Sequence, residues 1–189
     1  MSADSALNAF LKSVEARAFK RAVYAVRDQD AALDIVQDAM IRLAQSYGHH
    51  DAVEWPMLFQ RILSNAILDW FRRQKVRRAV MQNFTELESP DEEDGPSAGD
   101  LIESLMTEAG QAESAAETFS RTEVMEAIEE ELGRLPHRQR EAFLLRYWEE
   151  LDLAETAEVM GCSEGSVKTH CWRAVQALAK ALKLRGVNP

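Results

Sequence analysis

The chain has 189 residues, 46% of them hydrophobic, which suits one ordinary domain or two small ones. Its 8 Gly and 5 Pro argue against a turn-rich all-β protein, and its 2 Cys cannot form a disulfide framework or complete a zinc site. No apolar run approaches the roughly 20 residues of a membrane-spanning helix, and the N-terminus lacks a secretory signal pattern. We therefore expect a cytoplasmic protein without membrane insertion.

The net charge of -10 is unevenly distributed along the chain. Residues 1–78 hold 12 basic and 9 acidic side chains, and residues 132–189 hold 9 basic and 7 acidic ones. Residues 79–131 hold 1 basic and 16 acidic side chains. Two mildly basic ends joined by an acidic tether are typical of two binding modules, so the overall charge does not exclude a nucleic-acid partner.

The first segment has the apolar spacing of three helices. Asp30 is predicted to cap the second helix, Gly48 to end it, and Pro56 to lie in the first turn of the third. The predicted apolar stripes are Leu7, Phe10, Leu11, Val14 and Ala18; Val36, Met40, Leu43 and Tyr47; and Phe59, Ile62, Leu63, Ala66 and Trp70. The third helix is predicted to end in a basic run of Arg72, Arg73, Lys75, Arg77 and Arg78.

The middle of the chain lacks apolar periodicity. Pro, Gly, Ser and acidic residues dominate residues 89–100, which indicates a linker. The last segment is again helical in pattern, with Pro136 opening one of its helices. The prediction is an all-α protein with an N-terminal domain at 1–84, an acidic flexible linker at 85–120 and a C-terminal domain at 121–189.

The segment from Asp152 to Leu182 has the plan of a helix-turn-helix. Asp152 and Glu155 have capping-box spacing, Gly161 tolerates a left-handed turn, and Ser163 can cap the second helix. The predicted buried stripe of that helix is Val167, Cys171, Ala174 and Leu178. The opposite face carries Gly165, Thr169, Trp172, Arg173 and Gln176, with Ser166 and Lys168 at its edges. That face suits a DNA major groove, although a helical hairpin with a solvated polar face has a similar pattern.

The third helix of the first segment combines aromatic and basic residues, as unpaired bases and phosphates require. Trp55, Phe59, Trp70 and Phe71 are the aromatic candidates. Phe59 and Trp70 lie on the apolar stripe, so filling a helical core explains them better. Trp55 and Asn65 are less easily explained by packing.

These residues resemble a known family at two places. The stretch LPHRQREAFLLRYWEELDLAETAEVMGCSEGSVKTHCWRAVQAL is similar to the C-terminal promoter-binding domain of extracytoplasmic-function sigma factors. The N-terminal matches are DAALDIVQDAMIRLAQSY, which resembles the polymerase-docking helix, and WPMLFQRILSNAILDWFRRQK, which resembles the helix that opens and reads the downstream promoter element.

The resemblance implies roles and partners for this chain. The partners would be core RNA polymerase, promoter DNA and an anti-sigma factor, and loop 48–54 would hold a base flipped out of the unpaired strand. The implied polymerase-binding residues are Asp34, Val36, Gln37 and Asp38. The implied DNA-binding residues are Trp55, Asn65, Asp69, Arg72, Arg73 and Lys75 for the downstream element, and Ser166, Lys168, Thr169, Trp172 and Arg173 for the upstream element.

Three other interpretations predict different sequence features. A polymerase-independent helix-turn-helix regulator would carry a ligand or phosphoacceptor domain, and no alternating strand and helix pattern indicates one. A helical protein that sequesters another factor would not need a basic helix end. An enzyme would show a phosphate loop, a metal-spaced ligand set or a nucleophile with its base, so no catalytic residue, metal or cofactor is expected.

Overall fold

The computed structural model describes residues 3–81 and 127–184, which are helical and contain no β-strand. The chain divides into two compact units, the first built around the N-terminal helices and the second around the C-terminal ones. The all-α prediction is therefore confirmed. The predicted linker at 85–120 lies outside the described residues. Within those residues, no helix is both long and apolar enough to cross a membrane.

Three helices form the first unit. They are α1 (Ala3–Val26), α2 (Gln29–Tyr47) and α3 (Trp55–Met81), and α2 packs against both of the others. The apolar spacing explains the core, because side chains three and four residues apart share one helix face. Its most buried apolar side chains are Ala22, Ala32, Val36, Ala39, Leu43, Phe59 and Leu63.

After the turn that follows α1, the N-terminus of α2 is capped by a different aspartate from the predicted one. Arg27 has the left-handed φ of 58°, and its N–H donates to the Val23 carbonyl at 2.8 Å, which ends α1. Asp28 is the N-cap of α2, and its carboxylate accepts from the Ala31 N–H at 3.0 Å. The Asp30 prediction is wrong by two residues, because Asp30 already lies in the first turn of the helix.

Gly48 ends α2, as predicted, and it is required there by close packing. Its φ is -61°, so backbone conformation does not demand glycine. A Cβ at this position would lie 2.6 Å from the Ala44 carbonyl oxygen and 3.1 Å from Leu7 Cδ2. The start of the loop between α2 and α3 can therefore approach α1 only because residue 48 has no side chain.

A buried arginine joins α1 to α3. Arg21 is 1% exposed, and its guanidinium donates to the Gln60 side-chain carbonyl and to the Ser64 hydroxyl. A buried charge requires such partners, because its transfer from water is costly. This cross-link fixes how α3 is rotated against α1.

The described C-terminal part of the chain holds four further α-helices. They are α4 (the described residues 127–134), α5 (His137–Phe143), α6 (Leu153–Met160) and α7 (Glu164–Leu184). Pro136 precedes α5, as predicted. Arg140 of α5 is 7% exposed, and its guanidinium donates to the Gly133 and Leu135 carbonyls at 2.9 and 2.8 Å. It thereby satisfies carbonyls that the end of α4 leaves without helical partners.

A π-helical turn, Leu144–Trp148, continues α5. The Glu149 N–H donates to the Leu144 carbonyl at 2.9 Å, and the Arg146 guanidinium donates to the Leu151 carbonyl. Glu150 then takes a left-handed φ of 59°, which turns the chain toward α6. The wider turn rotates the side chains that follow α5 relative to the regular helical spacing.

Candidate nucleic-acid interface

Local capping interactions define the helix-turn-helix formed by α6 and α7. The Glu155 N–H donates to Asp152 Oδ1 at 2.8 Å, and the Asp152 N–H donates to Glu155 Oε2 at 2.7 Å, which is the predicted capping box. Gly161 has a φ of 64°, and the Cys162 N–H donates to the Ala157 carbonyl at 3.1 Å. The predicted cap of α7 is also present, because the Ser166 N–H donates to Ser163 Oγ at 3.1 Å.

One face of α7 is buried and the other is accessible. The predicted stripe is confirmed, since Val167, Cys171, Ala174 and Leu178 are at most 5% exposed. Lys168 is exposed on the accessible side, whereas Ser166, Thr169, Trp172 and Arg173 are partly buried. The Ser166 hydroxyl lies 3.0 Å from that of Ser163, and the Thr169 hydroxyl donates to the Gly165 carbonyl at 3.1 Å. The start of α7 thus presents short polar groups beside one exposed cation.

The two cysteines near this helix differ in their surroundings. Cys171 is 5% exposed, and burial raises the pKa of its thiol to about 12. A protonated, buried thiol is a poor nucleophile, which agrees with the packing role predicted from the sequence. Cys162 is partly buried in the turn, and neither cysteine is part of a disulfide.

The outer face of α3 brings together most of the residues predicted for the downstream element. Asn65, Arg72, Arg73 and Lys75 are exposed, and Asp69 is partly buried. Arg72 Nη1 lies 3.1 Å from Asp69 Oδ1, and Arg73 Nε donates to the Asp69 carbonyl at 3.4 Å. The spacing of Asn65, Asp69, Arg72 and Arg73 places them on one side of the helix, with Lys75 toward its edge.

Trp55 does not belong to this face. It is 3% exposed, its ring packs 6.0 Å from that of Phe10, and its Nε1–H donates to the Tyr47 carbonyl at 3.2 Å. The prediction that Trp55 contacts DNA is wrong, because its indole ring is buried between α1, the end of α2 and the start of α3. Phe59 is also in the core, as expected.

The loop between α2 and α3 is short and held by its own side chains. The Val53 N–H donates to Asp51 Oδ1 at 3.1 Å, and His50 Nδ1 lies 3.0 Å from Glu54 Oε2. The rings of His49 and His50 are 4.8 Å apart. His49 is exposed and Val53 is 84% exposed, so the loop offers an aromatic and an apolar group outward.

The exposed face of α2 differs from the predicted one in two respects. Asp34, Gln37 and Asp38 are exposed, but Val36 is 2% exposed and packs in the core. Val36 occupies a stripe position, so its assignment to a binding surface is wrong. The sequence prediction also missed Leu33 and Ile41, which are 46% and 52% exposed beside the acidic residues. The sequence feature that could have identified them is a pair of apolar side chains, eight residues apart, that do not belong to the buried stripe.

The described side chains include no group of three or more His, Cys, Asp or Glu that could hold a metal ion. What they offer is recognition chemistry: hydrogen-bonding groups and cations on two helices, and an acidic and apolar face on a third. The fold and these faces define a helical protein with a helix-turn-helix near the C-terminal end of the described residues.

Comparison with known proteins gives the class. Residues 125–178 match the family described as "Sigma-70, region 4". The chain is 31% identical over 160 residues to the ECF RNA polymerase sigma factor SigM of Mycobacterium tuberculosis, covering 82% of this chain and 66% of that one. It is 29% identical to the RNA polymerase sigma factor SigV of Bacillus subtilis over 157 residues, 81% of this chain and 76% of that one.

Two further comparisons concern length and fold. The chain is 27% identical to the ECF RNA polymerase sigma factor BldN of Streptomyces coelicolor over 164 residues, 84% of this chain, but spans only 53% of that relative. The sigma factor RpoE of Bartonella quintana, solved with the anti-sigma factor NepR, shares the fold with a TM-score of 0.58 at 20% identity, covering 93% of this chain and 97% of that one. This chain belongs to the extracytoplasmic-function sigma factors.

Proposed function

We propose that this protein binds core RNA polymerase, directs it to promoters with two sequence elements and promotes opening of the DNA at the downstream one. The observation that carries the proposal is the presence of polar helix faces in both units: Asn65, Arg72 and Arg73 on α3, and Lys168 with its neighbours on α7. A specificity subunit needs no catalytic group, so we infer that the protein has no enzymatic activity and acts in the cytoplasm with polymerase.

The α2 face is the proposed polymerase contact. Leu33 and Ile41 supply apolar area, and Asp34, Gln37 and Asp38 supply polar contacts around it. An apolar centre with a polar rim is the usual anatomy of a protein–protein interface. An anti-sigma factor is a further proposed partner, since the related fold from Bartonella quintana was solved with one.

The α3 face and the loop before it are the proposed site for the downstream element. Arg72 and Arg73 would hold phosphates, and Asn65 would meet a base edge. A base flipped from the unpaired strand would lie against the loop that carries His49 and Val53. Extruding a base costs a few kcal/mol, which stacking and hydrogen bonds at the loop must offset.

The α7 face is the proposed reader of the upstream element. Ser166, Lys168 and Thr169 lie at the N-terminal end of α7, where recognition helices meet base edges in the major groove. Arg173 lies further along and would contact the phosphate backbone, as would the edge of Trp172 that remains accessible.

Run-off transcription with core polymerase and a genomic promoter library tests the proposal. We expect transcripts that depend on this chain.

Lys168→Ala combined with Arg173→Ala should reduce dependence on the upstream element, and Asn65→Ala should impair opening more than initial binding. Leu33→Ser combined with Ile41→Ser should weaken association with core polymerase, whereas Leu184→Ser, at an 81% exposed site on α7, should not.

The same assay separates the second candidate, a helix-turn-helix regulator that works without polymerase. Such a protein would bind specific duplex DNA by itself and would give no transcript that requires it together with core polymerase. That result would overturn the sigma-factor proposal.

A further inference from the structure

An apolar side chain lies within the basic end of α3. Val76 is 64% exposed. It follows Asn65 by eleven residues, which is about three helical turns and ~16 Å along the axis, so both lie on the same side of α3. Arg72 precedes Val76 by one turn on that side. Val76 therefore extends the proposed DNA face beyond the residues that resemble the family's reading helix.

The surroundings of Val76 are strongly cationic. Arg72, Arg73, Lys75 and Arg77 are all exposed. Between residues 61 and 77 the one acidic residue is Asp69, and it pairs with Arg72 at 3.1 Å. A partner that uses both features of this part of α3 offers negative charge around a small apolar group. An apolar protein surface would not pair with the four cations, and phosphates alone would make no apolar contact with the valine.

Duplex DNA supplies both features together. Phosphates border each groove, and thymine presents its C5-methyl group in the major groove, where apolar side chains contact it. We propose that Val76 contacts the C5-methyl of a thymine in the duplex that borders the downstream element, and so makes the protein prefer T·A at that base pair. This inference rests on the proposed function, because it requires α3 to lie on promoter DNA.

The test removes the C5-methyl group of the thymine and the methyl groups of Val76 in separate experiments. The probe is the promoter fragment that gives the strongest transcript dependent on this chain, with each thymine near the downstream element replaced in turn by deoxyuridine, which lacks only the C5-methyl. Complexes of core polymerase with the wild-type protein, Val76→Ala or Leu184→Ala are compared by dissociation constant and by run-off yield. Alanine favours helix more than valine does, so Val76→Ala should fold normally, which thermal unfolding checks.

We expect one thymine at which deoxyuridine weakens wild-type binding about three- to fourfold, the effect of one buried methyl group. Val76→Ala should bind the unmodified promoter more weakly by a similar factor and should be insensitive to deoxyuridine at that thymine. Leu184→Ala should keep the wild-type sensitivity. The assignment is overturned if the wild-type protein is insensitive at every thymine, or if Val76→Ala keeps the full sensitivity. A lack of any dependent transcript from unmodified DNA would instead overturn the proposed function, and the assignment with it.

Discussion

At the scale of single residues, the side chains that the sequence misplaced are ones whose environment depends on other helices. Trp55 has the aromatic character that unpaired bases use, yet Phe10 and the Tyr47 carbonyl enclose it. Val36 was assigned to a binding surface by the family resemblance, although its place on the apolar stripe turns it toward the core, where it is 2% exposed. Composition alone cannot decide between a buried and an exposed aromatic at a helix start, because the neighbouring helix settles it.

Arg21 shows the same dependence and gives a stability prediction. Arg21→Met leaves the Gln60 carbonyl and the Ser64 hydroxyl without this donor, and hydrogen bonds to charged groups contribute about 1.5–3 kcal/mol each. We expect the free energy of unfolding to fall by about 2–4 kcal/mol in Arg21→Met and by about 1–2 kcal/mol in Ser64→Ala. Urea unfolding of both variants and of the double variant measures the coupling. Strictly additive losses would show that the two side chains do not interact.

Cys171 gives a prediction for alkaline pH. Burial raises its pKa from 9.0 to about 12, so above pH 9 the unfolded chain loses the thiol proton while the folded protein keeps it. The free energy of unfolding should therefore fall as pH rises from 9 toward 12, with a limiting slope of about 1.4 kcal/mol per pH unit from this group. Cys171→Ala should remove that part of the slope in chemical denaturation between pH 9 and 10.5. An unchanged slope would contradict the burial of the thiol.

At the scale of helices and turns, the sequence was most informative where the determinants are local. The capping box of Asp152 and Glu155, the left-handed Gly161 and the Ser163 cap were all predicted, since each acts within a few residues. The cap of α2 was placed at Asp30 instead of Asp28 because both aspartates precede the same apolar stripe. The π-helical turn Leu144–Trp148 had no recognisable sequence pattern and was not predicted.

The Ser163 cap of α7 gives a testable prediction about the stability of a helix terminus. Ser163→Ala removes the acceptor for the Ser166 N–H at the start of the recognition helix. We expect a loss of about 1 kcal/mol in the free energy of unfolding and fraying of the first turn, with weaker reading of the upstream element. Ser163→Asp keeps an acceptor and should restore both, as measured by thermal unfolding and by transcription from promoters with a mutated upstream element. Equal behaviour of the alanine and aspartate variants would argue against a capping role.

At the scale of the whole molecule, the charge distribution connects the two units to their proposed use. Each basic end has only a small excess of cations, and affinity for duplex DNA grows with the number of phosphates neutralised. The protein alone should therefore bind DNA weakly, and the acidic middle of the sequence should weaken this binding further. Association with polymerase would then place both units on the promoter.

The acidic tether predicted from the sequence lies outside the described residues, but its charge can be tested. Changing Asp91, Glu92, Glu93 and Asp94 to their amides should raise the affinity of the polymerase-free protein for duplex DNA at least about twofold at low salt, and less at high salt because of screening. Fluorescence anisotropy across a salt series measures the effect. Affinity that is unchanged at low salt would assign the acidic residues a solubilising role alone.

We propose that the two units read promoter DNA only when polymerase holds them. The most direct measurement is footprinting of one promoter fragment by the purified protein, by core polymerase and by the two together. We predict protection of both promoter elements, with opening at the downstream one, only in the mixture. Specific protection by the protein alone, or a mixture that protects no more than core polymerase does, would contradict the claim.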